Sequence, residues 1–209
     1  LRNCTTTRLS SDHVSAYRGV IRCTRDRDGK VFRVGRVKAY RIHADQAGRA
    51  GEPAFDVCDA HSQEMHEVYA ALFDPQADDL KYDVRTQFDC FESDVLVLDY
   101  VLLAPRWRGL RLGLLAARKL VDMVGGGCGL TVTYLAPLSP DAEEFEGVPA
   151  GWLPRPENQD AEREGKRKLR RHFRRMGFER VKGTKFHALS MAKLVPTLED
   201  LLRPRRWGR

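Results

Sequence analysis

Nowhere in these 209 residues does an apolar run reach the ~20 residues that a membrane helix requires. The first ten residues, LRNCTTTRLS, hold no apolar signal core. The five cysteines, Cys4, Cys23, Cys58, Cys90 and Cys128, are scattered, odd in number and never spaced as CxxC. That argues against a disulfide framework and for reduced thiols in a cytoplasm. Cys58, His61 and His66 fall on one expected helix but lack a fourth ligand, so no metal is assigned. Internal repeats and low-complexity tracts are also missing, which sets aside solenoids and arrays. The basic segments lack the interleaved aromatics that stack on single-stranded bases. The expectation is a cytoplasmic protein with no membrane partner.

What is present suits a globular chain. Hydrophobic residues make up 42% and charged residues 31%, enough of the former for a sizeable core. One domain over 1–209 is expected, with 1–12 and 203–209 as loose ends. The net charge of +7 points to anionic partners such as a nucleotide, an acidic substrate or nucleic acid.

Along the chain, Val14 to Thr24 and Val31 to Ile42 alternate apolar and polar residues about Asp26–Lys30, a hairpin signal. Arg18, Arg22, Arg33, Arg36 and Lys38 fall on its outer face, read as solvated. Asp45 to Pro53 reads as a loop. A helix follows from about Asp56, with Val57, His61, Met65, Val68 and Leu72 on one stripe, ending near Asp74-Pro75. Asp78 to Glu92 is ambiguous, with Leu80–Phe88 as a short strand or a lid. A long acidic loop after Ala136 reads as a substrate cover or as plain disorder. A basic helix from about Ala161 to Met176 carries Leu169, Phe173 and Met176 as its apolar stripe and ends at Gly177. A closing hairpin over Phe178–Lys182 and Lys185–Leu194 completes the chain.

The chain is organised around Asp94 to Leu135. VLVLDYVLLAP (Val95–Pro105) suits a strand buried on both faces. RWRGLRLG (Arg106–Gly113) is a basic turn with two glycines. LLAARKLVDMV (Leu114–Val124) has helical periodicity and stops at Gly125-Gly126-Gly127. GLTVTYL (Gly129–Leu135) is a second strand. The unit is therefore βαβ. A helix opening after a glycine-bearing, arginine-rich turn presents unpaired N–H groups and the positive end of its dipole, a setting that suits phosphate. The competing reading is a tight solvated turn.

Arg108-Gly109-Leu110-Arg111-Leu112-Gly113, after a strand ending Leu103-Ala104-Pro105, resembles the acetyl-CoA loop of the GNAT superfamily of N-acetyltransferases. That pattern is a basic residue or Gln, two residues, Gly or Ala, one residue, Gly or Ala. LRRHFRRMGFERV (Leu169–Val181) resembles the family's last helix, which usually ends Tyr-x-x-x-Gly-Phe. The resemblance covers roughly the C-terminal half. It implies an α/β (α+β) fold with a mixed central sheet flanked by helices, splayed at the strand pair that takes the cofactor. It implies acetyl-CoA as co-substrate and an amine acceptor. Val101 and Leu103 would hold the pantetheine arm, and Arg108, Gly109, Leu110, Arg111, Leu112 and Gly113 the pyrophosphate. A homodimer stays open. Three positions depart from the pattern: Arg111 for the inner glycine, Phe173 for the Tyr proposed as acid, and Lys166 for an Asn that touches pantetheine.

Attack on a thioester needs a neutral amine, and a lysine-like amine titrates near ~10.4, so a base is required. Asp99 interrupts the apolar strand beside the expected thioester and is the first candidate; burial there would raise its pKa. The alternative is that Asp99 marks a strand bulge or pairs with an arginine. Asp94 is a second, weaker candidate and Glu92 a third. His172 and Tyr134 are candidate acids, and Cys128 lacks an adjacent base. An N-acetyltransferase ranks first, a CoA-binding protein of the same fold without turnover second, and a basic nucleic-acid binder third.

Overall fold

A computed structural model describes residues 5–11, 13–136, 148–153 and 156–202. The expected hairpin is its longest feature. Strands β2 (Val14–Thr24) and β3 (Val31–Ile42) pair antiparallel from Val14↔Ile42 to Thr24↔Val31, with a bulge at Ile21/Arg22. Gly29, at φ +68°, allows the turn between them. The segment expected to be loose instead supplies β1 (Thr5–Ser11), which pairs along β2 from Thr5↔Val20 to Ser11↔Val14. Its Thr and Ser content had hidden a strand whose ladder is set by its neighbour.

Three expectations on the following segment are corrected. Asp45–Pro53 is not all loop, since α1 (Ala44–Ala50) forms there and Gly51 ends it in the left-handed conformation. The single helix expected from Asp56 is two, α2 (Ala54–His61) and α3 (Gln63–Leu72). Ser62 breaks it: its backbone is extended and its hydroxyl accepts the Met65 N–H at 3.3 Å, capping α3. Leu80–Phe88 is helix over most of its length, with only Leu80 in a strand. Strands β4 (Phe73–Asp74) and β5 (Asp79–Leu80) form a small ladder, and α4 (Tyr82–Phe88) follows.

The βαβ unit forms as expected from β6 (Val95–Leu103), α5 (Leu112–Val124) and β7 (Leu130–Thr133). Helix α6 (Gln159–Phe173) is capped by Asn158, which accepts the Ala161 N–H at 2.8 Å; a 3₁₀ turn, Arg174–Met176, and Gly177 at φ +101° end it. The closing hairpin is shorter than expected, β8 (Glu179–Arg180) and β9 (His187–Ser190). A helix not foreseen, α7 (Leu198–Leu202), follows it. The acidic loop over 137–147 and the tail from 203 lie outside the described residues.

The seven-stranded sheet runs β1-β2-β3-β6-β7-β9-β8. Only β6 and β7 are parallel. One face is covered by α2, α3 and α4, where Tyr40, Met65, Leu72, Val95, Val97 and Val132 meet. The other is covered by α5, α6 and α7, where Leu96, Leu98, Leu114, Leu120, Phe173 and Leu201 meet. Both faces of β6 are thus buried, which is why its sequence is continuously apolar. Among the described residues no helix is long and apolar enough to cross a membrane.

Candidate ligand cavity at the parted strands

The site starts with a register fault. Strand β3 pairs with β6 as Lys38↔Tyr100 and then Ala39↔Leu98, leaving Asp99 as the extra residue of a bulge. A bulge reverses side-chain alternation. Before it, Leu96 and Leu98 face α5; after it, Val101 packs on that side, while Tyr100 and Leu102 turn to the other face against Val148, Trp152 and Leu153. The ladder between β6 and β7 runs from Val95↔Leu130 to Val97↔Val132 and stops there, although β6 continues to Leu103. Beyond Val97 the two parallel strands part.

A cavity of about 820 Å³ fills the gap, a size ordinary for a small-molecule site. Its walls include Leu98–Leu103 of β6, Thr133–Ala136 after β7, the turn before α5, and the inner side of α6. Among the described residues that line it, five are cationic (Arg108, Arg111, Lys168, Arg171, Arg175) and one is a carboxylate, Asp99. Such a lining attracts an anion.

The turn before α5 is shaped for backbone approach. Gly109 has φ +78° and Arg111 φ +61°. A non-glycine in that conformation costs about 1 kcal/mol, so Arg111 keeps the turn that a glycine would give and adds a side chain. The Arg111 carbonyl accepts the N–H groups of Leu114 and Leu115 at 3.0 and 3.1 Å, which starts the helix. The Arg111 guanidinium donates to the Leu202 carbonyl at 2.7 Å. Arg108 donates to the Leu103 carbonyl at 3.1 Å and also to the Trp152 carbonyl, tying the end of β6 to the 148–153 segment. A Cβ at Gly113 would stand 3.6 and 3.8 Å from Leu103 and Val101, in ordinary contact.

Of the residues singled out from the sequence, Asp99, Val101, Leu103, Arg108, Gly109, Arg111 and Gly113 line the cavity. Leu110 does not: it is 57% exposed. Leu112 packs instead into the core beneath α5. Asp94 does not line the cavity either. It precedes β6, about 16 Å along the strand from Asp99. Its carboxylate accepts from Arg41 at 2.8 and 3.2 Å and from the Asp45 N–H at 3.2 Å. Burial alone would raise its pKa, but the bonds from His43 and Arg41 outweigh burial and hold it below the ordinary value. Asp94 is a structural anchor, and its candidacy as a base is withdrawn.

Asp99 has both the strand position weighed for a base and the bulge weighed against it, and its ion-pair partner is a lysine rather than an arginine. It sits at the bulge, lines the cavity, and pairs with Lys38 at 3.1 Å. Lys38, expected on a solvated face, is 3% exposed and lies over the Tyr40 ring at 4.8 Å. Arg18 and Arg33 are exposed as expected, while Arg22 and Arg36 are half-buried. The expectation of a carboxylate isolated among Val and Leu is therefore replaced by a carboxylate held in an ion pair.

His172 and Tyr134 both line the cavity. Burial, then the charges of Arg175 and Arg111, push the His172 pKa down, so the imidazole is neutral at neutral pH. Phe173 also lines the cavity and packs edge-on to Phe178 at 5.4 Å, offering no hydroxyl. Burial pushes the Cys128 thiol up to about 12, which leaves it no nucleophilic thiolate at neutral pH. Cys58 is buried, and His66 pairs with Asp59 at 3.0 Å; among the described residues no group of His, Cys, Asp and Glu is placed to hold a metal. Lys38, Trp152 and α7, which hold the lining residues Asp99, Arg108 and Arg111 from outside the cavity, were not foreseen. Only α7 had a local signal, Thr197-x-x-Asp200, whose side chains reciprocally cap the helix.

Set against protein-family models, curated proteins and solved structures, the chain matches none.

Proposed function

We propose that this cavity binds acetyl-CoA and that the protein is an N-acetyltransferase of the GNAT type, passing the acetyl group to an amine. The observation that carries the reading is the parting of the parallel strands beside a cationic Gly/Arg turn that opens α5. An extended, amide-bearing arm fits the edge of β6 left without β7, near Val101 and Leu103, by strand addition. Phosphates fit the turn from Arg108 to Gly113 and the cations of α6. Bound there, the thioester would supply an acetyl carbonyl whose C–S bond breaks as the amine's C–N bond forms.

Asp99 is the carboxylate among the described lining residues and takes the role of base, removing the proton the amine must lose. Lys38, paired with it at 3.1 Å, fixes its orientation. Tyr134 is the candidate acid for the leaving sulfur, while His172, beside Arg175 and Arg111, belongs with the cations proposed to meet the phosphates. The acceptor is an amine whose identity the cavity lining leaves open.

A second reading has its own support: Asp99 is tied to Lys38, and Phe173 brings no acidic hydroxyl. On that reading the protein binds CoA without turnover. One experiment separates the two. Melting temperature is measured with millimolar CoA, and a panel of amines is then screened with acetyl-CoA for thiol release. A shift with release supports the transferase; a shift without release selects the binder; no shift in a folded sample overturns both. Tight, salt-sensitive retention on DNA or RNA would instead favour the nucleic-acid binder.

A further inference from the structure

Two of the cavity's cations are held by a helix outside it. Arg111 precedes α5 and Arg175 follows α6, so they enter the cavity wall from different elements. Both reach the same place, the carbonyl end of α7. Arg111 Nη1 donates to the Leu202 and Leu201 carbonyls at 2.7 and 3.4 Å, and Arg175 Nη2 donates to the Leu201 carbonyl at 3.0 Å. The last carbonyls of a helix have no partner within it, which makes them natural acceptors for arginine.

The α7 segment is itself fastened without using the cavity. Leu201 is 1% exposed and buried with the α5 core. Arg118, on α5 and away from the cavity lining, donates from Nε to the Pro196 carbonyl at 2.9 Å. Thr197 and Asp200 cap the helix reciprocally: the Thr197 N–H donates to the Asp200 carboxylate at 3.1 Å and the Asp200 N–H to the Thr197 hydroxyl at 3.2 Å. A guanidinium is a planar fork with five N–H donors, so fixing one nitrogen on a carbonyl sets the direction of the rest. A phosphate oxygen is also a stronger acceptor for that fork than a neutral group.

We propose that α7 is a brace that aims Arg111 and Arg175 at the phosphates of a polyphosphorylated ligand, so that order in the C-terminal segment and binding in the cavity are coupled. This rests on the CoA reading of the cavity. By reciprocity, a ligand that gains from the aimed arginines must also stabilise α7. Arg118 and Leu201 are then positioning residues that act through Arg111 and Arg175.

The test is binding of CoA and of S-acetylpantetheine, which lacks the pyrophosphate and nucleotide, to the full chain and to three variants. Arg118→Met releases the Pro196 tether, Leu201→Ala loosens the buried anchor, and Arg118→Lys keeps a donor at the tether. CoA should bind about tenfold more weakly to Arg118→Met and Leu201→Ala, an ordinary size for coupling between sites. S-acetylpantetheine should bind all forms alike, and Arg118→Lys should recover most of the CoA affinity. Amide exchange over 198–202 in the parent should slow when CoA is added. Unchanged or tighter CoA binding in both loosened variants overturns the brace, as does an equal loss for the two ligands, which would mean general loosening. A parent that binds neither ligand overturns the reading of the cavity and the brace with it. A parent that binds CoA beside variants that bind it equally well overturns the brace alone.

Discussion

Replacing Asp99 by Asn tests the ion pair and the proposed chemistry together, and the two effects can be separated. The substitution keeps shape and removes charge, taking the Asp99 carboxylate away from the buried Lys38 ammonium. Breaking one partner out of a buried pair costs ~3–5 kcal/mol. Lys38's side chain is 4% exposed but Asp99's is 22% exposed, and the Tyr40 ring at 4.8 Å still faces the cation. Both features place the loss at the low end, about 3 kcal/mol. In a chain of this length that lowers the melting temperature by about 6–12 °C. Adding Lys38→Met to Asp99→Asn removes the buried charge and should restore most of the loss, so the two substitutions are strongly non-additive. Turnover behaves differently. Loss of a general base lowers rate by ~10²–10⁴-fold, and the double variant, though stable, should stay slow. The deficit should shrink toward high pH, where more of the amine is already neutral. Calorimetry reads the first effect and thiol release across pH the second. A melting temperature within a degree of the parent for Asp99→Asn would refute the buried pair; full activity across pH in the double variant would refute the base.

Asp94→Asn should cost about 3 kcal/mol at pH 7 in the same way. Because the Asp94 pKa is lowered on folding, its contribution is present above the ordinary 3.8 and lost as pH falls through the lowered value, so parent and variant should converge in denaturant titrations only as pH falls well below 3.8. Gly113→Val should fold, since a Cβ there meets only Leu103 and Val101 at 3.6 and 3.8 Å, yet CoA binding measured by calorimetry should weaken, because the branch projects into the cavity wall. Burial and then the charges of Arg175 and Arg111 lower the His172 pKa; phosphates placed beside it would oppose those charges, so CoA binding should take up a proton and tighten as pH falls below the ordinary 6.5. Calorimetry in buffers of different ionisation enthalpy reads that uptake, and His172→Gln should abolish it.

The parts of this fold that were legible in the sequence are those fixed by near neighbours. The hairpin about Asp26–Lys30 and the apolar run from Val95 each follow from a period that local packing imposes. The break at Ser62 was hidden because Val57, His61, Met65, Val68 and Leu72 keep helical spacing straight across it. Only the serine's capping of Met65 N–H interrupts the chain there. Asp94 and Asp99 both border an apolar strand, and nothing within a few residues separates an anchor from a cavity residue. The distinction lies in Arg41 and Lys38, more than fifty residues earlier, brought alongside by the β3–β6 ladder. Lys38 was misread for the same reason: alternation put it on a face with Arg18 and Arg36 but could not say that a bulged carboxylate would meet it there.

That bulge also decides what the cavity is made of. Without the extra residue, alternation would carry Val101 and Leu103 onto the face of Val95 and Val97, and Tyr100 and Leu102 onto the side of α5. The change falls two residues beyond Val97, where β7 stops pairing. The edge of β6 is therefore released just where its side chains exchange faces. Val101 and Leu103 lie near Gly113 and the start of α5, while Tyr100 and Leu102 meet the 148–153 segment on the other side. A single carboxylate, in a ladder that would otherwise be regular, thus sets which side chains flank the gap from each face. Its partner Lys38 fixes that carboxylate in place. An even register would close neither the strand edge nor the turn before α5, but it would face them with a different wall.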